Sequence, residues 1–241
     1  MSNDLMLNKL KIVALIPARS GSKTIKHKNI KLYKEIPLIG HSIKIGLECP
    51  YIQDVYVSTD SKVYQDIAIN LGALVTPLRS SDISNDLSPD IDVFKFFIKM
   101  FLDKNEIIPD IIIHLRPTYP NRDIEILNDC IKKFIENYDS YDSLRTVIPL
   151  KKTPYKMYHI SEDDRLIPII KNYDYLIEPF NQSRQHFPET YLHNGYIDIV
   201  KTEIIINYDL LSGTKIFPYI MSENEIDDID DLTDFNKSEN K

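Results

Sequence analysis

Short, continuously apolar runs alternate with stretches of helical apolar spacing along the first 138 residues of the chain. The runs are rich in β-branched residues, which is typical of strands buried on both faces of a parallel sheet. They predict strands at residues 11–16, 54–58, 73–76 and 110–115. Apolar residues spaced three and four apart predict helices at residues 38–47, 61–71, 91–102 and 124–138. This rhythm predicts an α/β fold with a mostly parallel, Rossmann-like sheet, right-handed crossovers and helices on both faces.

The rhythm changes in the last part of the chain. Residues 151–189 alternate short, tyrosine-rich extended segments with turns, which predicts a small β-rich excursion from the main sheet. The pattern then predicts a strand at residues 191–200, a short helix at 202–208 and a last strand at 215–220. Since no internal repeat or Gly/Ser-rich linker interrupts the sequence, we expect a single domain over residues 1–241 that carries the excursion.

Composition restricts the function without identifying it. The formal net charge is −7, which argues against general affinity for nucleic acid. Cys49 and Cys130 are far apart and lie in no C-x-x-C or Cys/His cluster, so no disulfide framework or zinc site is predicted. No apolar run has the length of a signal peptide or a membrane span, and we therefore expect no membrane association and a cytoplasmic location.

The loops that follow the predicted strands carry much of the candidate chemistry. Ligands of open α/β sheets bind outside the carboxyl ends of the strands. The loops at Arg19, Thr59, Arg79 and Arg116 each follow a predicted strand, so we expect them to converge on one edge of the sheet.

A cationic loop, ARSGSKTIKHKN, follows the first predicted strand. A turn at Gly21 would offer backbone N–H groups, and Arg19, Ser22, Lys23 and Lys28 would complete a cradle for a polyphosphate. The loop is not a P-loop, since G-x-x-x-x-G-K-[ST] is absent, and not a dinucleotide fingerprint, since G-x-G-x-x-G is absent. The alternative interpretation is a solvated basic loop.

An acidic segment near the C-terminus has the complementary charge. IDDIDDLTDF, residues 226–235, follows Glu225 and holds five aspartates. Asp228 and Asp230 lie two residues apart, so in an extended segment both carboxylates point to the same side and can share one hard cation such as Mg²⁺. The alternative is a solvated or frayed tail. Together with the cationic loop, the pair would form the two halves of a nucleotidyl-transfer site.

Six blocks of sequence in a shared order point to a known family. The chain resembles the acylneuraminate cytidylyltransferases, which comprise the CMP-sialic acid synthetases and their relatives acting on legionaminic and pseudaminic acids. The resemblance extends from Ile12 to Phe235. Its blocks are IPARSGSKTIKHKNI at 16–30, VYVSTDS at 55–61, LRSSDISND at 78–86, LRPTYPNR at 115–122, SRQHFPETYLHNGYIDI at 183–199 and IDDIDDLTDF at 226–235.

The resemblance implies a nucleotidyltransferase sheet and the synthesis of an activated sugar. The anomeric hydroxyl of a nine-carbon 2-keto sugar acid would attack the α-phosphate of CTP, pyrophosphate would leave, and the product would serve surface polysaccharide biosynthesis. It implies catalytic roles for Arg19, Lys23, Asp228 and Asp230, with Mg²⁺ held by the two aspartates. It implies nucleotide contacts from Arg19, Ser22, Lys23, Lys28, Asn29, Arg79 and Asp86.

On the sugar side, each implied contact also has a structural alternative. The resemblance implies sugar contacts from Arg116, Thr118, Lys156, Arg184 and Asn194. The alternative for the two arginines and Lys156 is a surface charge, and the alternative for Asn194 is a turn formed with the glycine that follows it.

Three departures from the family pattern concern the same site. Thr24 replaces a glycine of the first motif, Arg116 stands where sialic-acid enzymes commonly have Gln, and Leu192 stands where they often have a second arginine. The loss of glycine at Thr24 implies a different path for the cationic loop. The changes at Arg116 and Leu192 leave the identity of the sugar open between sialic acid, legionaminic acid and a related 2-keto acid.

Residues 151–189 correspond to the family's dimerisation excursion, which implies a homodimer. Tyr and Arg are common at interfaces, and the alternative is a hairpin lid packed on its own subunit. Two other functions stay open for the chain: a nucleotide-sugar glycosyltransferase, and a catalytically silent nucleotide-binding or assembly subunit. Glycosyltransferases usually place an Asp-x-Asp at the end of a mid-sheet strand, whereas the pair here lies near the C-terminus.

Overall fold

A computed structural model of the chain describes residues 6–7, 9–222 and 228–239. The chain divides into two units. The first unit comprises Met1–Thr146, Gly195–Tyr219 and Ile226–Lys241. The second unit comprises Val147–Asn194 and Ile220–Glu225. The predicted excursion at residues 151–189 therefore belongs to the second unit.

Strands and helices alternate along the first unit, and short strands follow one another in the second unit. The strands are β1 (Ile12–Pro17), β2 (Leu32–Tyr33), β3 (Ile36–Pro37), β4 (Asp54–Ser58), β5 (Leu74–Val75), β6 (Ile111–His114), β7 (Ser143–Pro149), β8 (Tyr158–Ile160), β9 (Leu166–Pro168), β10 (Asn172–Tyr173), β11 (Leu176–Ile177), β12 (Tyr191–Lys201) and β13 (Ile216–Ile220). The helices are α1 (Leu38–Glu48), α2 (Lys62–Asn70), α3 (Asp90–Asp103), α4 (Ile124–Glu136), α5 (Thr202–Tyr208) and α6 (Leu232–Glu239).

The main sheet has seven strands in the order β13-β7-β12-β6-β1-β4-β5. β1 pairs in parallel with β4 and β6, β4 pairs in parallel with β5, and β12 runs antiparallel to β6. Residues 12–16 of β1 are fully buried, because this strand lies at the centre of the parallel part. The predicted α/β fold with a mostly parallel sheet is confirmed.

The predicted elements of the main sheet are present, with ends that move by no more than two residues. β7, α6 and the short hairpin β2–β3 are absent from the prediction. β7 reads SLRTVIP, so it lacks the continuous apolar run of the other central strands. Its Thr146 is nevertheless buried. The Thr146 hydroxyl is satisfied there, because Oγ1 donates to Ile197 O and accepts from Ile197 N at 3.0 Å each. α6 is short and polar, and its sequence was interpreted as part of an acidic tail.

An aromatic cluster fixes α3 on the sheet. Phe97 and Phe101 of α3 meet Tyr56 of β4 edge-on, at ring centroid distances of 5.0 and 5.7 Å. Aromatic pairs of this kind contribute about 0.5–1.5 kcal/mol beyond their area burial. The packing places the first residue of α3, Asp90, at the carboxyl edge of the sheet. None of the described helices has both the length and the apolar character needed to cross a membrane.

The second unit contains two small hairpins, β8–β9 and β10–β11, joined by turns. Its aromatic side chains pack on one another: Tyr155 stacks on Phe187 at 4.4 Å between centroids, and Tyr173 meets Tyr155 at 4.5 Å. Short extended segments with turns were predicted for this region and are present.

Candidate active site

A cavity of about 590 Å³ opens at the carboxyl ends of β1 and β6 in the first unit. The loops around it are joined by backbone hydrogen bonds: Ala18 N donates to Ser58 O at 2.8 Å, and Arg79 N donates to Thr59 O at 3.0 Å. The predicted convergence of these loops on one edge is therefore confirmed. The predicted site residues in its wall are Arg19, Ser22, Lys23, Lys28, Asn29, Arg79, Asp86, Arg116, Thr118 and Asp230.

The cationic loop is fastened to its surroundings by short polar contacts. Ser20 donates to the Asp60 carboxylate through its backbone N at 2.7 Å and its Oγ at 2.8 Å. Asn29 is buried, and its Nδ2 donates to Arg19 O at 2.9 Å. Asn29 therefore holds the backbone of the loop, and a direct contact of Asn29 with a nucleotide stays a prediction.

A carboxylate already bridges two cations of this loop. Asp86 lies 2.7 Å from Arg19 Nη1 and 2.7 Å from Lys23 Nζ. The hydrogen bond from Lys23 and the charge of Arg19 lower the pKa of the Asp86 carboxyl. The two side chains can thus hold one anion together, which is the property that a phosphate cradle requires.

The segment that presents Asp86 is an ordered turn. Asn85 Oδ1 accepts a hydrogen bond from Leu87 N at 2.8 Å, and Asn85 Nδ2 donates to Asp82 O at 2.9 Å. Ser88 Oγ also donates to Asp82 O, at 2.8 Å. Asn85 and Ser88 line the cavity but were not selected from the sequence. The available signal was the run SDISNDLS, since Ser, Asn and Asp form such side-chain-to-backbone turns.

Arg79 is a buried cation in the cavity wall. It is 7% exposed, and its burial lowers its pKa although the charge of Asp60 opposes this. Its Nε is buried and has no hydrogen-bond partner among the described residues. An unsatisfied buried donor costs about 1–3 kcal/mol, which a ligand acceptor in the cavity would recover. This geometry supports the nucleotide contact predicted for Arg79.

Two carboxylates hold the Arg116 guanidinium. Nη1 lies 2.6 Å from Asp198 Oδ2 and donates to Gly195 O at 3.1 Å, while Nη2 lies 3.4 Å from Asp90 Oδ2. Burial lowers the pKa of Arg116, but the charge and hydrogen bond of Asp198 more than offset this and raise it. Arg116 is therefore a wall residue of the cavity with a compensated charge, and its interpretation as a free surface charge is wrong.

Asp90 and Asp198 are functional candidates that sequence reasoning missed. Asp198 stands within YIDIV, so a charged residue in an otherwise apolar strand was the available signal. It lies opposite His114 in the antiparallel pairing of β12 with β6. That register brings Asp198 to Arg116 and cannot be read from local sequence.

Arg122 fastens the loop after β6 to β12. Its Nε donates to Tyr196 O at 2.7 Å, its Nη1 donates to Ser42 Oγ and Tyr119 O at 2.9 Å each, and its Nη2 donates to Arg116 O at 2.6 Å. Burial is the main cause that lowers the pKa of Arg122 to about 9. These contacts fix the backbone at Arg116, so the position of that side chain depends on Arg122.

His114 ends β6 and lines the cavity beside Arg116. It is 2% exposed, its ring meets Phe94 edge-on at 5.2 Å, and its Nδ1 has no hydrogen-bond partner among the described residues. Burial and the neighbouring Arg116 lower the pKa of His114 to about 3. The imidazole is therefore neutral at physiological pH and adds no charge to this part of the wall.

The acidic segment is joined to the cationic loop. Lys28 Nζ donates to Ile229 O at 3.0 Å, and Thr24 Oγ1 donates to Asp230 O at 2.8 Å. Ile229 N also donates to Thr118 O at 2.9 Å. Thr24, which departs from the family's glycine, thus contributes a contact that glycine lacks. Of the predicted acidic segment, Glu225, Ile226 and Asp227 lie outside the described residues.

The residues at Asp228 and Asp230 fit a divalent cation. Burial and the charge of Asp230 raise the pKa of Asp228, against hydrogen bonds from Thr118 and Tyr119. Its Oδ1 is buried and accepts no hydrogen bond from any described residue. No group of three or more His, Cys, Asp or Glu in the described part of the chain is arranged to hold a metal. Two carboxylates suit Mg²⁺, which takes few protein ligands and completes its shell with phosphate oxygens and water.

α6 holds the acidic segment from its C-terminal side. Asp231 caps the helix, since its Oδ1 accepts from Thr233 N at 2.7 Å and Asp234 N at 2.9 Å. Phe235 meets Tyr33 edge-on at 5.6 Å between centroids, and the Tyr33 hydroxyl bonds to Ser238 Oγ at 2.6 Å. Sequence reasoning missed this support, because its partner lies about two hundred residues away.

Three residues predicted to bind sugar belong to the second unit. Lys156 is exposed at the end of the 3₁₀ turn Pro154–Lys156. Arg184 is exposed and lines a cavity of about 210 Å³ with Phe187. Asn194 Nδ2 donates to Met221 Sδ at 3.5 Å. A sugar contact for any of the three stays a prediction.

The sequence profile of a family described as Cytidylyltransferase matches residues 13–216 of the chain. The chain belongs to the cytidylyltransferase family. The matched range begins in β1 and ends in β13, so it includes most of the strands and loops that surround the cavity. The predicted family resemblance is therefore confirmed.

Two relatives agree with this family membership, and one solved structure shares the fold. The CMP-N,N'-diacetyllegionaminic acid synthase of Legionella pneumophila is 36% identical over 123 residues, 51% of this chain and 53% of the relative. The N-acylneuraminate cytidylyltransferase of Streptococcus agalactiae is 28% identical over 233 residues, 94% of this chain and 52% of the relative. This cytidylyltransferase family member thus spans about half of the length of each relative.

The solved structure shows the same fold. It is a CMP:2-keto-3-deoxy-manno-octonic acid synthetase complexed with CTP, and it matches with a TM-score of 0.68 at 15% identity. The match covers 95% of this chain and 97% of that one. The cytidylyltransferase fold therefore extends over almost the whole chain.

Proposed function

We propose that the chain transfers CMP from CTP to the anomeric hydroxyl of a nine-carbon 2-keto sugar acid and releases pyrophosphate. The observation that carries this proposal is the direct joining of the cationic loop to the acidic segment in one cavity. Lys28 bonds to Ile229 O at 3.0 Å and Thr24 bonds to Asp230 O at 2.8 Å. Cations suited to phosphates and carboxylates suited to a metal are the groups that nucleotidyl transfer needs.

Arg19 and Lys23 would bind the triphosphate. They would exchange the Asp86 carboxylate for phosphate oxygens, and Ser22 and Lys28 would extend the same cradle. Negative charge grows on the departing pyrophosphate during the reaction. Fixed cations lower the energy of that charge more than the energy of bound CTP, which accelerates the step.

Arg79 and Asn29 would define the nucleoside end of the site. The buried Nε of Arg79 has no partner among the described residues, so an acceptor on the cytosine would satisfy it. Asn29 would act through the loop backbone, since its amide donates to Arg19 O at 2.9 Å. This assignment separates the base from the triphosphate cations.

Asp228 and Asp230 would hold Mg²⁺. When bound, the ion would neutralise phosphate charge and polarise the α-phosphate as a Lewis acid. The Asp228 carboxylate would also accept the proton of the anomeric hydroxyl as a general base. Thr118 and Tyr119 orient this carboxylate by hydrogen bonds to it.

The sugar acid would bind beside Arg116 and Thr118 in the first unit. Sugar contacts from Lys156, Arg184 and Asn194 stay predictions from the family resemblance. Arg116 supplies a cation in the cavity wall, which suits the carboxylate of such an acid. The names of the relatives support a sialic-type acid, and legionaminic and sialic acids are the two substrates that we place first.

We also propose that the chain acts as a homodimer. The hairpins of the second unit expose large apolar side chains: Ile160 is 69% exposed, and Tyr175 and Ile177 are each 79% exposed. Exposed apolar groups on neighbouring hairpins support an interface between copies.

Pyrophosphate release tests the proposed activity. The protein is incubated with CTP, Mg²⁺ and a panel of N-acetylneuraminic, N,N'-diacetyllegionaminic and pseudaminic acids. We expect release that requires one of the acids. Transfer from a preformed nucleotide sugar would instead support a glycosyltransferase, and binding of CTP without turnover would support a silent subunit.

A matched pair of lysine variants tests the phosphate cradle in the same assay. Lys23→Ala should raise the KM for CTP by about tenfold or more, because a hydrogen bond to a charged group contributes about 1.5–3 kcal/mol. Lys26→Ala is the control, since Lys26 is exposed and lies outside the cavity wall. Equal KM values for the two variants would contradict the phosphate cradle.

Asp230→Asn should abolish pyrophosphate release in the same assay. Near-normal activity of this variant would contradict the assignment of Asp230 as a metal ligand.

A further inference from the structure

We propose that the two carboxylates around Arg116 have different roles in recognising the sugar acid. Asp198 holds the guanidinium in place, and Asp90 is an exchangeable counter-ion that the carboxylate of the substrate replaces. This inference rests on the proposed function, and it names the residues that would recognise the acid group.

Asp198 is the fixed partner of Arg116. Its side chain is 13% exposed and lies 2.6 Å from Nη1 of Arg116, whose side chain is 24% exposed. The Gly195 carbonyl is a second acceptor for this nitrogen, since it accepts a hydrogen bond from the same Nη1 at 3.1 Å. Because Nη1 has two acceptors on β12, this end of the guanidinium has a defined position.

Gly195 is needed for this close approach. Its φ is +72°, a conformation that favours glycine. A Cβ at this position would lie 3.2 Å from Arg116 Nη1 and 3.5 Å from Cζ. The Asn-Gly pair predicted as a sugar-side motif therefore also makes room for the arginine.

Asp90 is the replaceable partner. Its side chain is 47% exposed, and its Oδ2 lies 3.4 Å from Arg116 Nη2, which is a longer contact than that of Asp198. Exposed ion pairs contribute about 0–1 kcal/mol, so a ligand can displace Asp90 at low cost. Asp90 lines the cavity and therefore lies where a bound acid would be.

A substrate carboxylate would replace Asp90 as one of the two anionic partners of Arg116, and the displaced Asp90 carboxylate would move into solvent. The Arg116 guanidinium would keep two anionic partners, with Nη2 directed to the new one. His114 beside it is neutral, because burial and Arg116 lower its pKa to about 3. His114 therefore adds no second cation beside Arg116, and the guanidinium is the charged group that would bind the carboxylate there.

The direct test is acid binding measured by calorimetry on protein loaded with a non-hydrolysable CTP analogue. The probes are N-acetylneuraminic acid, N,N'-diacetyllegionaminic acid and the methyl ester of each. Asp90→Asn should lower the Kd for the acid about two- to fivefold, since a competing carboxylate is removed. The Kd for the methyl ester should change less than twofold. Asp82→Asn, a change in the loop before α3 and outside the cavity wall, is the control and should match the wild type.

Asp198→Asn should have the opposite effect. Asp90 would become the remaining carboxylate partner of the half-buried Arg116 guanidinium and would compete more strongly, so the Kd for the acid should rise about fivefold or more. Thermal unfolding of this variant shows whether it folds, and Asp90→Asn decides the question where it does not.

Several outcomes would overturn the inference. In Asp90→Asn, the acid could bind with an unchanged or higher Kd, or the Kd for the methyl ester could fall as much as the Kd for the acid. In folded Asp198→Asn, the Kd for the acid could be unchanged. Finally, the wild type could bind neither acid. If the wild type binds an acid and releases no pyrophosphate with CTP, the proposed function fails while this inference stands.

Discussion

Asp228 carries a carboxylate that is costly to ionise in the folded protein. Burial and the charge of Asp230 raise its pKa, and its Oδ1 lacks a hydrogen-bond donor among the described residues. A surface aspartate would avoid this cost, so the position serves something other than stability. A bound Mg²⁺ would supply the missing partner.

Replacing Asp228 should therefore stabilise the metal-free protein. The folded pKa lies above the unfolded one, so the favourable contribution of Asp228 is present below the unfolded pKa of about 3.9 and is lost as pH rises through the folded pKa. Asp228→Asn should raise Tm by about 1–3 °C at pH 8 with EDTA present, and the difference should disappear near pH 4.

Thermal unfolding of both proteins across this pH range checks the prediction. Mg²⁺ with CTP should stabilise the wild type more than the variant, and pyrophosphate release by the variant should be lost. A lower Tm for the variant at pH 8 would contradict a costly buried carboxylate at this position.

Among single residues, the site residues that could be predicted from the sequence are those in the loops after predicted strands. Arg19, Arg79 and Arg116 were found because a parallel sheet brings the ends of its strands together. Asp198 was not found, because its contact with Arg116 depends on the register between β12 and β6. A register of this kind is set by tertiary packing and not by neighbouring residues in the chain.

At the scale of elements, α6 positions the acidic segment although this helix is too short to be stable alone. Phe235 is 2% exposed and packs on Tyr33 of β2. The Tyr33 hydroxyl also accepts from Asn121 Nδ2 at 2.7 Å. The position of Asp228 and Asp230 should therefore depend on packing against β2.

Phe235→Ala should release α6 without unfolding the sheet. Truncation of a buried phenylalanine to alanine costs about 3–5 kcal/mol, which is more than an eight-residue helix can lose and stay docked. We expect hydrogen exchange over residues 228–239 to become at least tenfold faster and pyrophosphate release to fall at least tenfold. Leu232→Ala is the control, because Leu232 is on the same helix and is 50% exposed.

Hydrogen exchange measured by mass spectrometry, with turnover measured in parallel, checks this prediction. Fast exchange with unchanged turnover would separate α6 from the site. Equal effects of Phe235→Ala and Leu232→Ala would show that the Tyr33 contact is not what holds the helix.

The sequence predicted the buried elements better than the marginal ones. β1 and β6 carry continuous apolar runs and were found with ends that shift by one residue. β7 and α6 were missed, because a buried Thr146 or a single Phe235 gives no periodic signal. Both depend on partners that are distant in the chain.

At the scale of the whole molecule, an acidic chain concentrates cations at one edge of its sheet. The formal net charge is −7, yet the cavity wall includes Arg19, Lys23, Lys28, Arg79 and Arg116. Carboxylates from one short segment already pair with three of them, through Asp86 and Asp90. A cationic site within an acidic protein suits two anionic substrates and disfavours a polyanion such as nucleic acid.

The most direct test of this account is the stoichiometry and mass of the reaction product. The protein is incubated with CTP, Mg²⁺ and the acid that it binds, and the products are separated and measured by mass spectrometry. The account predicts one pyrophosphate for each CTP consumed and one conjugate with the mass of CMP plus the acid less one water. CTP consumption without that conjugate, or pyrophosphate release that does not depend on the acid, would contradict it.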